Sequence, residues 1–214
     1  MSDNTPNVFI VDDDLAVRES LSDLMDSVGL NAETYASAQE FLTRYTPTLW
    51  GCLVLDIRMF GMSGLELQDE LIRRGALLPT IFITGHGDVP MAVQAMRRGA
   101  MDFIQKPFRE QELLDSINLA LENGSKIRAS ELERQTVWQQ VESLTPRERE
   151  VMDKIIAGKS NKVIAADLGL SQRTVEVHRA NMMEKLQVHS LADLVRVITH
   201  AGLDGTEHQV YSNG

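Results

Sequence analysis

The chain has almost no cysteine. A single thiol, Cys52, among 214 residues excludes an intrachain disulfide and any multi-cysteine metal site, and a reducing compartment is the expected setting. Long hydrophobic runs are also missing. Nothing approaches the roughly 20 apolar residues that span a bilayer. The first residues, MSDNTPNVFIVDDD, have no basic region and turn acidic after a short apolar run. Neither a transmembrane helix nor a secretory signal is expected, so no membrane partner and a cytoplasmic location are. Basic charge is scarce too: 21 Lys and Arg stand against 31 Asp and Glu, a net charge of −10. On average that argues against generic nucleic-acid binding.

The average conceals an asymmetry. Residues 1–122 carry 19 acidic and 9 basic side chains, residues 123–143 three of each, and residues 144–200 seven acidic and 9 basic. The acid therefore belongs to the front half, and a neutral-to-basic back half points to two domains with different partners. The length suits that division, and 43% hydrophobic with 24% charged residues is ordinary for folded domains.

The front half alternates short apolar runs with helical patterns. Strands are predicted at Val8-Phe9-Ile10-Val11, near 31–35, at Cys52-Leu53-Val54-Leu55, at Thr80-Ile81-Phe82-Ile83 and at Met101-Asp102-Phe103-Ile104. Helices are predicted near 15–28, 37–44, 64–74, 90–98 and 109–122, with Gly29, Gly75 and Gly99 as stops. Strand–helix alternation predicts an α/β fold with a doubly wound parallel sheet. The nearly all-apolar first, third and fourth strands fit burial on both faces. Asn123-Gly124-Ser125 is a break signal, after which residues 123–141 read as a polar, helical linker.

From 142 to 203 the pattern is purely helical. Thr145-Pro146-Arg147-Glu148 opens a helix with a capping Thr, Pro at the first position and Glu at the third. Ser160, Ser171 and Ser190 are expected to cap three more, and Gly169 ends the second. Four helices, the middle two joined by a short Gly-containing turn, fit a helix-turn-helix unit. Residues 204–214 are expected to be a disordered tail.

Open parallel sheets bind ligands where their strands end. Here the first strand ends in Asp12-Asp13-Asp14, the third in Asp56, the fourth in Thr84 and the fifth in Lys106-Pro107. Asp12–Asp14 alone would read as a helix N-cap run, Thr84 as a turn residue and Lys106 as a solvated charge; jointly they describe a site. Clustered carboxylates need a cation, and oxygen ligands without His or Cys select Mg²⁺ before Zn²⁺. A carboxylate can take a phosphoryl group as a nucleophile, with Lys106 neutralising the new charge and Thr84 donating to it. Cys52 reads as a core thiol. His86, in Thr84-Gly85-His86-Gly87, has no second His to make a metal site.

On FIVDDD, LVLDIRMFGMSG and IFITGHGDVPMAVQAMRRGAMDFIQKPF, residues 7–122 resemble a response-regulator receiver domain, the last segment being especially similar to the FixJ subfamily. The resemblance implies a flavodoxin-like sheet of order 2-1-3-4-5 and phosphorylation of Asp56 by a partner sensor histidine kinase. It implies Mg²⁺ held by Asp12, Asp13, Asp56 and the Arg58 backbone carbonyl, and phosphoryl contacts from Thr84 and Lys106. Phe103 matches the family's aromatic switch position, and the Lys106–Pro107 bond is expected to be cis. A dimer face formed by the fourth helix, the fifth strand and the fifth helix would include Val93 and Arg97, four apart and so on one side of the fourth helix. The chain departs from the family where Phe60 stands in place of the usual Pro. Without proline's fixed φ, and with Gly61 and Gly64 nearby, the segment 59–64 is expected to have little local constraint and to be mobile.

The back half, SLTPREREVMDKIIAGKSNKVIAADLGLSQRTVEVHRANMMEKLQV, resembles the LuxR-type DNA-binding domain. A recognition helix at Gln172–Leu186 would carry Arg173, Thr174, Glu176, Val177, His178, Arg179, Ala180, Asn181 and Lys185. The resemblance puts Glu176, Val177 and Ala180 on bases, and Lys159, Lys162, Arg173 and Lys185 are candidate phosphate contacts. The expectation is a two-component transcription factor that dimerises when phosphorylated and binds promoter DNA, with RNA polymerase as a further partner, rather than an enzyme beyond slow self-dephosphorylation. The alternative is a Mg²⁺-dependent phosphatase with Asp56 as nucleophile and the back half as an interaction module, which rapid multiple turnover would reveal.

Overall fold

The structure is a computed structural model and describes residues 6–85 and 89–203; His86 and the tail from 204 lie outside them. The chain divides into two compact units between Ala129 and Ser130.

In the first unit the strands are β1 (Asn7–Val11), β2 (Asn31–Tyr35), β3 (Gly51–Asp56), β4 (Thr80–Thr84) and β5 (Asp102–Gln105). The helices between them are α1 (Leu15–Ser27), α2 (Ala38–Arg44), α3 (Gly64–Arg73) and α4 (Val89–Arg97). All pairings are parallel and the order is β2-β1-β3-β4-β5. Alternate side chains of each strand face opposite sides. Phe9, Val11, Leu53, Leu55 and Phe82 pack with Phe41 of α2, Leu67 and Leu71 of α3, and Ala95 of α4. Val8, Ile10, Cys52, Val54, Ile81 and Ile83 pack on the other face with Leu21 and Met25 of α1 and with Leu113, Ile117 and Ala120 of the last helix. Burial on both faces is why the central strands are continuously apolar. Cys52 lies fully buried in β3, where burial pushes its thiol up to about 12.

The last helix of this unit, α5, runs from Glu110 to Glu142 without interruption. The break read at Asn123-Gly124-Ser125 does not occur. Gly124 is buried, and a Cβ there would lie 3.3 Å from the Gly51 carbonyl oxygen and 3.5 Å from the Pro79 ring. Glycine lets the helix close on the edge of the sheet opposite the strand C-termini; it is a packing residue and not a stop. One turn on, the Arg128 guanidinium lies 4.9 Å from the centre of the Trp50 ring, a cation–π contact that continues the docking. Residues 123–129 thus belong with the sheet. Further along, Trp138 Nε1 donates to the Ala201 carbonyl at 3.1 Å, and Val141 is buried in the second unit's core.

The second unit adds α6 (Pro146–Ile156), α7 (Asn161–Leu168), α8 (Gln172–Lys185) and α9 (Leu191–His200). Thr145 and Glu148 form a reciprocal capping box, and Ser171 and Ser190 cap α8 and α9. Ser160 occupies the N-cap position of α7 but makes no side-chain cap bond, contrary to the sequence expectation. Gly169 has the left-handed φ of 66° that ends α7 and starts the turn into α8. Val151, Met152, Ile155, Ile164, Val175, Met182, Leu194 and Ile198 form one core.

Candidate functional site

Because all five strands run the same way, their C-terminal ends meet at one edge, and the sheet changes winding direction where β1 lies beside β3. Asp12 follows β1, Asp56 ends β3, Thr84 ends β4 and Lys106 follows β5. Asp12 and Thr84 are each 1% exposed and Asp56 is 6% exposed. The Lys106 ammonium donates to Asp12 Oδ2 at 2.7 Å and to Asp56 Oδ1 at 3.1 Å. Its position is set from the backbone: Lys106 N donates to the Thr84 carbonyl at 2.8 Å, and the Lys106–Pro107 bond is cis, as expected.

Burial raises the Asp56 carboxyl above its usual range; the ammonium of Lys106 counters this and the Asp12 charge adds to it. Burial alone would lower the Lys106 ammonium. The hydrogen bond to Asp12 and the charges of Asp12 and Asp56 outweigh it, so the group is held above its ordinary value. Two carboxylates and one ammonium at this spacing make an acidic site with a cation held between its carboxylates.

The structure does not gather Asp12, Asp13 and Asp56 into a three-carboxylate cluster; among the described residues no such acidic, His or Cys group converges. The Lys106 ammonium bridges Asp12 and Asp56 and offsets one of their two charges, while Asp13 Oδ2 accepts from the Phe60 amide at 3.1 Å. The oxygen donors nonetheless match a hard ion that needs few protein ligands and keeps its waters. Thr84, Lys106 and Asp56 lie at neighbouring strand ends; Phe103 is half-buried on β5, opposite Phe82 in the register.

Two contributors, Arg18 and Gly64, were not singled out from the sequence, and Arg58 was named there for its carbonyl and not for its amide. Arg18 Nη1 donates to the Asp12 carbonyl at 2.7 Å, tying α1 to the acidic turn. Arg58 N donates to Asp56 Oδ2 at 2.7 Å, so the Arg58 backbone serves the site through its amide. Gly64 starts α3 against the end of β3: its amide bonds the Ile57 carbonyl at 2.9 Å, and a Cβ would stand 2.3 Å from the Asp56 carbonyl oxygen. The Met-Ser-Gly run was the available signal.

The expected lack of constraint across 59–64 is also not found. Met59 is buried in the core, the Phe60 amide bonds Asp13, and Ser63 with Glu66 forms a capping box. These bonds do the ordering that proline would have done. The Phe60 ring itself is 91% exposed. On α4, Val93 and Arg97 are both exposed, with Val89 and Met96 also apolar and exposed on that helix.

In the second unit, α8 buries Val175 and Met182 and turns Arg173, Glu176, Val177, Ala180 and Asn181 to solvent, with Thr174, His178 and Arg179 half-buried. Residues 173, 176, 177 and 180 share one side of a helix. Arg179 donates to Asn161 Oδ1 at 3.3 Å, joining α8 to the first residue of α7. The candidate cations differ. Lys162 is exposed, but Lys159 lies 2.6 Å from Asp167, which Lys154 also reaches, and Lys185 lies 2.7 Å from Glu148. Lys159 and Lys185 are therefore not the free phosphate-seeking charges the sequence suggested.

A sheet of this order with buried acids, Thr and Lys at its edge, followed by a helix-turn-helix unit, is the layout of a signal-receiving domain joined to a DNA-binding one. Family models agree: residues 8–118 match the response regulator receiver domain, and residues 142–198 match the bacterial regulatory proteins of the luxR family. The chain is 46% identical over 196 residues to Nodulation protein W of Bradyrhizobium diazoefficiens, covering 92% of this chain and 86% of that protein. It is 43% identical over 197 residues to the transcriptional regulatory protein FixJ of the same organism, covering 92% and 96%. Among solved structures, the response regulator StyR shares 47% identity at a TM-score of 0.80, covering 91% of this chain and 98% of that one. Full-length FixJ from B. japonicum shares 43% at 0.56, covering 92% and 98%. The chain belongs to the response-regulator family, as a transcription-regulating member of the FixJ kind with a receiver and a LuxR-type DNA-binding domain. Its family implies a sensor kinase and promoter DNA as partners, and receivers of this family typically use Mg²⁺. Among the described residues no helix is long and apolar enough to cross a membrane.

Proposed function

We propose that Asp56 is the phosphoacceptor of a cytoplasmic two-component regulator, charged by a sensor histidine kinase. The observation that carries this reading is the Lys106 ammonium lying between Asp12 and Asp56 at the sheet edge. In the reaction the phosphohistidine P–N bond breaks as a P–O bond forms to Asp56 Oδ, and the imidazole, carrying a proton on its other ring nitrogen, leaves neutral. Mg²⁺, held by Asp12, Asp13, Asp56 and the Arg58 carbonyl, would screen the phosphoryl charge. Asp56 must present a carboxylate in a buried place, and the Lys106 ammonium opposes the rise that burial imposes on it. Thr84 and Lys106 then bond the phosphoryl oxygens. A bound phosphoryl group changes the protein only by bonding better in one state than the other; Thr84 and Phe103 are the residues through which we read that preference, and the α4 face with Val93 and Arg97 is the surface by which the active form dimerises.

In the DNA-binding unit α8 enters the major groove, with Glu176, Val177 and Ala180 toward bases and Arg173, Thr174, His178, Arg179, Asn181 and Lys162 toward the backbone. Lys159 and Lys185 contribute less, because their charge is shared with Asp167 and Glu148. Promoter occupancy then acts on RNA polymerase.

The test is incubation with phosphoramidate and Mg²⁺, followed by mapping of the adduct. One phosphoryl group on Asp56, absent from Asp56→Asn, is expected. Labelling that survives in Asp56→Asn overturns the assignment.

A further inference from the structure

Among the described residues, the largest exposed apolar side chain stands beside the site. Phe60 is 91% exposed, whereas Phe9, Phe41 and Phe82 are fully buried. Its backbone is fixed on both sides: the Met59 side chain is sunk in the core, and the Phe60 amide bonds Asp13 at 3.1 Å. The Arg58 amide, two residues earlier, bonds Asp56. The ring is therefore held at the mouth of the phosphoacceptor site by main-chain bonds that its side chain does not make. Leu15, 58% exposed, starts α1 two residues after Asp13. Around these two apolar groups Asp13, Asp14 and Glu19 are exposed acids, and Arg58 is the exposed base.

An aromatic ring left in water beside a reacting group is poorly used by the folded monomer and well suited to anchor a partner, since buried aromatics dominate interface energetics. The partner's chemistry follows from place and charge. Asp56 is 6% exposed, so whatever transfers a phosphoryl group to it must bring that group into this mouth. The acidic rim and the acidic unit around it favour a basic surface. We propose that Phe60 is a specificity-determining anchor for the phosphodonor protein: its ring inserts into an apolar groove beside the phosphohistidine on a basic surface, and Leu15 borders the same contact. The inference rests on the reading of Asp56 as phosphoacceptor. Small donors need no such anchor, so Phe60 serves macromolecular transfer alone.

The experiment compares full-length wild type, Phe60→Ala and Phe60→Trp with two kinds of donor. Phosphoramidate with Mg²⁺ tests the chemistry, and the histidine kinases of the source organism, each autophosphorylated with ATP, test recognition. Phosphoramidate labelling within twofold for all three proteins is expected. From the kinase that labels wild type fastest, transfer to Phe60→Ala at sub-saturating concentration should slow at least tenfold, and Phe60→Trp should recover most of the rate. Equal transfer to wild type and Phe60→Ala overturns the proposal. So does an equal slowing of phosphoramidate labelling, which would place Phe60 in the chemistry. Loss of self-association by unphosphorylated Phe60→Ala in sedimentation would assign the ring to a second copy of the chain and overturn it as well. Wild type unlabelled by phosphoramidate and by every kinase overturns the reading of Asp56 itself.

Discussion

Lys185 Nζ lies 2.7 Å from Glu148 Oε2 and 3.4 Å from the Ser143 carbonyl oxygen. The last cation of α8 is thus bound to the first turn of α6, and Glu148, only 3% exposed, holds both that ammonium and the Thr145 amide at 2.8 Å. Lys162, on α7, is exposed instead.

The two lysines should therefore separate in DNA binding. Lys162→Ala is expected to weaken binding to all sequences and to reduce the salt slope by about 1. Lys185→Ala should leave that slope nearly unchanged and lower the thermal midpoint of the DNA-binding unit. Titrations of a promoter fragment and an unrelated duplex at several salt concentrations check both.

Glu148 also sets a pH dependence. The hydrogen bond from Lys185, then that from the Thr145 amide, holds its carboxyl below the ordinary 4.5. A carboxyl lowered in the folded state stabilises above its unfolded value and loses that contribution as pH falls through its folded value. The stability advantage of wild type over Glu148→Gln should be full at pH 6 and should shrink below about pH 4.5. Urea unfolding of both proteins from pH 6 to 3.5 measures it.

Removing Lys106 leaves Asp12 and Asp56 facing each other without a cation. Lys106→Met should destabilise the receiver by about 2 kcal/mol, less than for a fully buried pair because the ammonium keeps some solvent. Adding Asp56→Asn should cost less than the sum of the two single changes, since it removes one of the stranded charges. Denaturant midpoints of the four proteins in that cycle give the coupling.

Gly64→Ala should destabilise by about 2–3 kcal/mol despite the better helix propensity of alanine. The new Cβ would meet backbone, the Asp56 carbonyl oxygen, 2.3 Å away, where no flexible side chain can yield. Phosphoramidate labelling should slow in parallel, because the displaced carbonyl belongs to Asp56, the proposed phosphoacceptor. Gly61→Ala, where a Cβ would meet nothing within 4 Å but φ is +80°, isolates backbone strain from collision.

How much of this was readable beforehand depends on the range of the interaction. β1, β3 and β4 were legible because burial on both faces requires continuous apolar runs, and Asp12, Asp56, Thr84 and Lys106 were legible because parallel strands end together. The length of α5 was not. Asn123-Gly124-Ser125 is a local break pattern, and its override comes from Gly51 and Pro79, more than 40 residues away. Lys159 and Lys185 were misjudged for the same reason: a lysine's partner, Asp167 or Glu148, is invisible to spacing along one helix. The loop at Phe60 was judged by the proline it lacks, while the Asp13 carboxylate that orders it lies 47 positions back.

The burial of Cys52 has a practical consequence. A thiol held near 12 in the middle strand of the sheet cannot be alkylated until that strand opens. As the chain contains no other cysteine, the speed at which iodoacetamide labels the untouched protein is a clock for opening of the receiver alone, silent to anything the helical unit does. Read with and without a phosphodonor, the clock reports whether phosphorylation changes the opening of the sheet, with no residue introduced.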